Sequence, residues 1–168
     1  MALLQRIAKD VKLMFRRPPR QQYAALCYRL KKKNGLEVLL LTSRDTGRWV
    51  IPKGWPMPNK KSHSVAEREA FEEAGVKGKA ERAPLGSFTY HKGLDQGLKV
   101  FCRVQVHALK VESMLDDFPE KGQRQLAWVS CAEAAERVDE PELKALLLAF
   151  EQRMLGHEEP GTRKILRK

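Results

Sequence analysis

Three glutamates in the stretch Ser64-Val-Ala-Glu-Arg-Glu-Ala-Phe-Glu-Glu-Ala-Gly75 are spaced for chemistry. Glu69, Glu72 and Glu73 stand at i, i+3 and i+4, which brings their side chains to one face of a helix. Three anions on one face repel each other. A hard divalent cation relieves that repulsion, and magnesium and manganese favour carboxylate oxygens. On these residues alone, a solvated acidic face balanced by Arg68 and Lys77 is the other reading. The cysteines offer less: Cys27, Cys102 and Cys131 lie far apart, and no CxxC or His/Cys cluster suggests zinc. A sparse, odd count argues for a reducing compartment rather than a disulfide framework. Cys27 and Cys102 sit in apolar runs and read as small hydrophobes, not nucleophiles.

The glutamates need a helix and a frame to hold it. Ser64-x-x-Glu67 predicts a capping box and Gly75 a C-terminal glycine, so the helix is expected over 64–75. Phe71 and Ala74 point away from the acidic face and read as core. Tyr23–Leu30 and Glu37–Thr42 predict a hairpin through Asn34-Gly35. Short strands are expected at Trp49–Ile51 and Gln125–Val129. Longer ones are expected at Lys77–Tyr90 and Leu98–Lys110, joined by the loop His91–Gly97. Helices are expected at Ala132–Arg137 and Pro141–Met154. Strands before and after a helix predict a mixed α/β (α+β) layered domain.

Here the sequence resembles the Nudix hydrolases. The box of that family is G-x5-E-x7-R-E-U-x-E-E-x-G-U, with U bulky and aliphatic. Gly54, Arg68, Glu69, Glu72, Glu73, Gly75 and Val76 stand at its spacings. Ala70 fills the first U position, and Lys60 stands where the box has its first glutamate. The strand–loop–helix context is the one such a box requires. The resemblance implies the Nudix fold, a mixed β-sheet sandwiched between helices.

The resemblance also implies roles. Glu69, Glu72 and Glu73 are expected to bind Mg²⁺ (or Mn²⁺), bridging pyrophosphate oxygens and polarising a water. Arg68 is expected to orient one of these carboxylates, and Gly54 to let the loop backbone come close to phosphates. A lysine cannot ligate metal while protonated. Lys60 therefore either contacts a substrate phosphate, points to solvent, or marks weakened activity. Family members often add a loop acid as ligand or general base, and Glu120 is the choice here, ahead of Asp116, Asp117 and Asp95. A solvated loop acid is the competing reading.

Pro52-Lys53-Gly54 after Trp49, the run Glu73–Gly78, and Lys121–Trp128 resemble the subgroup that cleaves diadenosine or diphosphoinositol polyphosphates. Such substrates need several cations. Lys53, Lys60 and Arg124 lead, with Arg44, Arg48, Lys61, Lys92 and Arg103 as further candidates. His91 is read as a contact to phosphate or adenine, or as an ordinary strand-end histidine; His63 has the same standing. Trp55 or Tyr90 either stacks on a base or serves as a core or rim aromatic. The expected partner is therefore a small polyphosphorylated molecule. The alternatives are an RNA 5′-end pyrophosphohydrolase and a non-catalytic ligand-binding domain.

The chain has 168 residues and a formal charge of +11. Divided along the sequence, residues 1–33 carry +9, residues 34–156 carry 0 and residues 157–168 carry +2, so the core is neutral and the tails hold the excess. Such tails are solvated arms or attract polyanions, including RNA, inositol phosphates and acidic lipid. Leu3, Leu4, Ile7, Val11, Met14 and Phe15 follow helical spacing, stopped by Pro18 and Pro19. The expected organisation is 1–19 an amphipathic helix and Pro linker, 20–155 the hydrolase domain, and 156–168 a basic tail. Arg6, Lys9, Asp10 and Lys12 interrupt any secretory core, which points to the cytoplasm; an organelle transit peptide is the alternative. No apolar run reaches a membrane span's roughly 18 residues.

Overall fold

The computed structural model describes residues 18–156; the N-terminal amphipathic helix and the basic tail expected from the sequence lie outside them. Strands β1 (Arg20–Lys31), β2 (Gly35–Thr42), β3 (Trp49–Val50) and β4 (Lys53–Gly54) precede helix α1 (Ser62–Ala74). Then follow β5 (Val76–Ala80), β6 (Gly86–Gly93), a 3₁₀ turn (Asp95–Gly97), β7 (Lys99–Met114), β8 (Leu126–Val129), α2 (Cys131–Arg137) and α3 (Pro141–Gly156).

The sheet is mixed. β1 pairs antiparallel with β2 and with β4, and parallel with β7. β7 carries β6 beside its first half and β5 beside its second, and β3 and β8 flank β2. Both sheet faces are covered. Ala24, Leu26, Leu40, Val104 and Val106 pack with Leu143, Leu147 and Phe150 of α3 on one side. Ala25, Cys27, Leu39, Leu41 and Leu109 pack with Ala66, Ala70 and Ala74 of α1 on the other. That double burial explains why Ala24–Tyr28 is apolar without alternation. All three cysteines are free and buried, Cys131 in the first layer and Cys27 in the second.

Four expectations change in detail. The helix starts at Ser62 with Lys61 as its cap and no side-chain capping bond, so the capping box does not form. Glu67 instead accepts from the Ala80 N–H at 2.8 Å, tying α1 to β5. The strand expected over Lys77–Tyr90 is two strands. Glu81 N–H and Leu85 N–H still reach β7 carbonyls (2.8 Å each), but the chain bulges away between them, where Pro84 has no N–H to give the ladder. The β1–β2 hairpin forms, with Lys31 opposite Gly35 and three residues between. Gly35 alone takes the left-handed conformation (φ 67°), the geometry of a three-residue loop rather than of a two-residue Asn-Gly turn. Phe71 is only half-buried, and Arg68 lies over its ring.

Candidate active site

The site is built where β4 passes into α1. Gly54 is buried, and a Cβ on it would lie 2.0 Å from Glu69 Oε1, so only glycine lets the loop pass this close to the carboxylate. At the other end of α1, Gly75 takes φ 67° and its N–H caps the Phe71 carbonyl. A Cβ there would meet the Phe118 ring at 2.5 Å and the Leu115 carbonyl at 2.7 Å. This contact brings the loop after β7 back onto the helix. The Glu120 N–H then donates to the Glu72 carbonyl at 3.0 Å, placing Glu120 beside the helical glutamates.

Glu69, Glu72, Glu73 and Glu120 line one cleft of about 720 Å³ with Lys53, Gly54, Arg44, Arg124 and His91. Burial first, then the charges of Glu73, Glu72 and Glu120, push the Glu69 carboxyl up to about 7. Burial likewise pushes Glu73 up to about 7, against the pull of Lys53 and Arg124. Arg124 reaches Glu73 Oε1 at 3.3 Å, while Glu73 Oε2 is buried with no partner. Glu72 pairs with Arg68, one helical turn earlier, at 2.5 Å. Among the described residues no three acidic, histidine or cysteine side chains are gathered closely enough to hold a metal ion, and Glu72 pairs with Arg68.

The donor set nevertheless suits a hard divalent cation. A buried carboxylate oxygen without a partner costs stability, and the two carboxyls of raised pKa, that of Glu73 itself and that of Glu69, are relieved by positive charge. Glu73 and Glu69 would hold such an ion, and Glu72 would join on leaving Arg68.

The cations fall into two groups. Arg124 is nearly buried, donates to the Thr42 carbonyl at 3.0 Å and to Glu120 at 3.3 Å, and forms an ion pair with Glu73 at 3.3 Å. It links β2, the loop and α1 while lining the cleft. Arg44 is exposed and pairs with Glu120 at 2.9 Å. Lys53 is half-buried, and burial pulls its amine down to about 8. His91 is exposed at the rim, its ring 5.0 Å from that of Phe101. Lys60 is exposed and does not line the cleft. Asp116 and Asp117 are also exposed and outside it. Gln22 was missing from the sequence reading: it is buried in the cleft floor and accepts from the Tyr90 hydroxyl at 2.7 Å. Its signal was a polar residue at a core-facing position, two before Ala24. Glu140 is the other, a buried anion paired with Arg48 of the cleft wall.

A mixed sheet between helices, with a glycine loop leading into a carboxylate helix at the sheet's edge, is the Nudix architecture. The profile of the NUDIX domain family matches residues 20–150, and the chain belongs to that family. It is similar to Nudix hydrolase 12, mitochondrial, of Arabidopsis thaliana, 36% identical over 106 residues that cover 61% of this chain and 52% of that one. It is 36% identical over 102 residues to diphosphoinositol polyphosphate phosphohydrolase 3-beta of Bos taurus, covering 60% and 57%. To Nudix hydrolase 21, chloroplastic, of Arabidopsis thaliana it is 31% identical over 156 residues, covering 89% and 75%. The chain thus spans little more than half of the first two relatives. A solved C. elegans Ap4A hydrolase binary complex superposes with a TM-score of 0.60 at 21% identity, covering 82% of this chain and 98% of that one, a likeness of fold.

Proposed function

We propose that the chain is a divalent-metal-dependent hydrolase of a pyrophosphate bond in a polyphosphorylated small molecule. Dinucleoside polyphosphates and diphosphoinositol polyphosphates are the favoured substrates, with Mg²⁺ or Mn²⁺ as cofactor. The observation that carries this is Glu73, whose buried, unpartnered oxygen lies beside Glu69 in a cleft rimmed by cations. The metal, when bound, activates water and neutralises phosphate charge. The residues supply the rest. Arg124 holds Glu73 and Glu120 in fixed relation, Arg68 waits on Glu72, and Lys53 and Arg44 meet phosphate oxygens as they enter. Glu120 is the candidate base, poised between Arg44 and Arg124.

No helix among the described residues is long and apolar enough to cross a membrane. The cytoplasm is the proposed compartment. Relatives named mitochondrial and chloroplastic make an organelle the alternative, to be decided by imaging the tagged full chain.

The test is phosphate release with Mg²⁺ and with Mn²⁺ across diadenosine tetra-, penta- and hexaphosphate, a diphosphoinositol pentakisphosphate, ADP-ribose, nucleoside triphosphates and 5′-triphosphate RNA. Turnover led by the dinucleotides or the inositol compound supports the reading. Turnover confined to RNA, or none on any member by folded protein, overturns it.

A further inference from the structure

Two aromatic rings, Trp55 and Tyr90, line the cleft together with the carboxylates. Both already carry cations. The Arg20 guanidinium lies 4.5 Å and the Lys92 amine 5.2 Å from the Trp55 ring centre. The Arg48 guanidinium lies 5.5 Å and the Lys53 amine 5.4 Å from that of Tyr90. Each distance is within the roughly 6 Å over which a ring's quadrupole holds a cation.

The second group is locked from behind. The Tyr90 hydroxyl donates to Gln22, which is buried. Arg48 Nη1 pairs with Glu140, which is buried at the start of α3 and whose other oxygen has no partner. No other side-chain nitrogen of Arg48 has a hydrogen-bond partner among the described residues, and none is buried, so the remaining donors face solvent at the cleft they line.

We infer that Trp55 and Tyr90 are cradles for phosphate-reading cations rather than platforms for a nucleobase, so that the cleft selects its substrate by phosphate charge and is indifferent to the base. This rests on reading the cleft as a polyphosphate site. It assigns specificity to Arg48, Lys53 and Lys92, with Glu140 and Gln22 as positioning residues that fix Arg48 and Tyr90. A ring engaged by cations offers its negative face to them, and a purine would have to displace that charge to stack.

Binding without turnover tests this. Calorimetry with Mg²⁺ present would compare tripolyphosphate with diadenosine pentaphosphate, each carrying methylene groups in place of all its bridging P–O–P oxygens, so that neither has a pyrophosphate bond to cleave. The wild type is expected to bind both within about three-fold. Losing one cation–ring contact of this strength is a change of roughly two- to five-fold. Trp55→Leu removes the contacts to Arg20 and Lys92, of which only Lys92 lines the cleft, and is therefore expected to weaken both probes by the same factor in that range, with Trp55→Phe, which keeps a ring, restoring them. Lys92→Gln, which leaves the ring in place, is expected to weaken both equally. The inference is overturned if Trp55→Leu weakens only the adenine-bearing probe, if neither Trp55→Leu nor Lys92→Gln changes binding, or if the wild type does not bind the tripolyphosphate. The readout is affinity alone, so a substrate panel without turnover would remove the hydrolase reading and leave this result standing.

Discussion

Glu73 concentrates the electrostatic conflict of the cleft. It is buried against like charge, with one oxygen on Arg124 and one on nothing. Its carboxyl and that of Glu69 titrate near 7 in the folded chain, against an ordinary 4.5. Between those two values the folded state binds more protons than the unfolded one, so their contribution to stability is present at low pH and is lost as pH rises. The metal-free protein is therefore expected to melt at a lower temperature at pH 7.5 than at pH 5.5, and Glu73→Gln is expected to flatten the difference. Adding Mg²⁺ at pH 7.5 should raise the wild-type melting temperature by more than the variant's; calorimetric scans with and without a chelator read both. At this scale the helical glutamates were legible because the spacing 69, 72, 73 is a property of the chain alone. What Glu72 and Arg124 do was not. Arg68 and Glu72 are one turn apart, and their pairing competes with metal ligation in a way no spacing reveals. Arg124, expected to meet phosphate, lines the cleft and is also packed against a β2 carbonyl, a contact 82 residues away in sequence. Arg124→Lys keeps the charge but loses the fork that spans Glu73 and Glu120. It is expected to lower kcat by about ten-fold or more with a smaller change in KM, read from steady-state phosphate release; an equal fall in both parameters would contradict the positioning role.

Element α1 works because both of its ends are glycine-dependent. At Gly75 the left-handed conformation and the packing of Phe118 act together. Gly75→Ala is expected to cost about 1–2 kcal/mol from backbone conformation alone, and more from the clash. It should also loosen the Glu120 loop, so that denaturant midpoint and kcat fall together. Gly54→Ala probes the other end, where the intruding methyl would displace Glu69. Its expected signature is a loss of turnover larger than its loss of stability, and a stable, fully active Gly54→Ala protein would contradict the close approach. Both glycines were read from the box pattern. The true start of the helix was not, because Ser64 and Glu67 fit a capping box on paper while Glu67 had a better partner in the β5 backbone. The break at Pro84 was equally hidden, since the residues on both sides of it do reach β7.

On the scale of the whole molecule, the sheet divides the labour. The α3 side is a hydrophobic layer, and the α1 side carries the chemistry along one edge. Leu147 is fully buried in the first layer, and no residue of α3 lines the cleft. Leu147→Ala is expected to cost about 2–5 kcal/mol and to leave KM within about two-fold, as measured by denaturant unfolding and kinetics at a temperature where the variant is folded. The class of fold was legible from strand and helix periods, since doubly buried strands and an alanine-faced helix leave few other arrangements. The sheet order was not, because β1 pairs with three strands and β7 with three, and those long-range registers leave no local trace. The neutral core charge was legible too, and the cleft shows what it conceals: glutamates paired with arginines, Glu120 with Arg44 and Arg124, Glu73 with Arg124 and Glu72 with Arg68. The measurement that bears most directly on the whole account is the Mg²⁺ dependence of diadenosine pentaphosphate turnover in the wild type and in Glu73→Gln. The account predicts that the wild type saturates with Mg²⁺ and stops on chelation, and that the folded variant is slower by about 100-fold or more even at saturating Mg²⁺. Turnover by Glu73→Gln at the wild-type rate, or wild-type turnover that survives chelation, would contradict it.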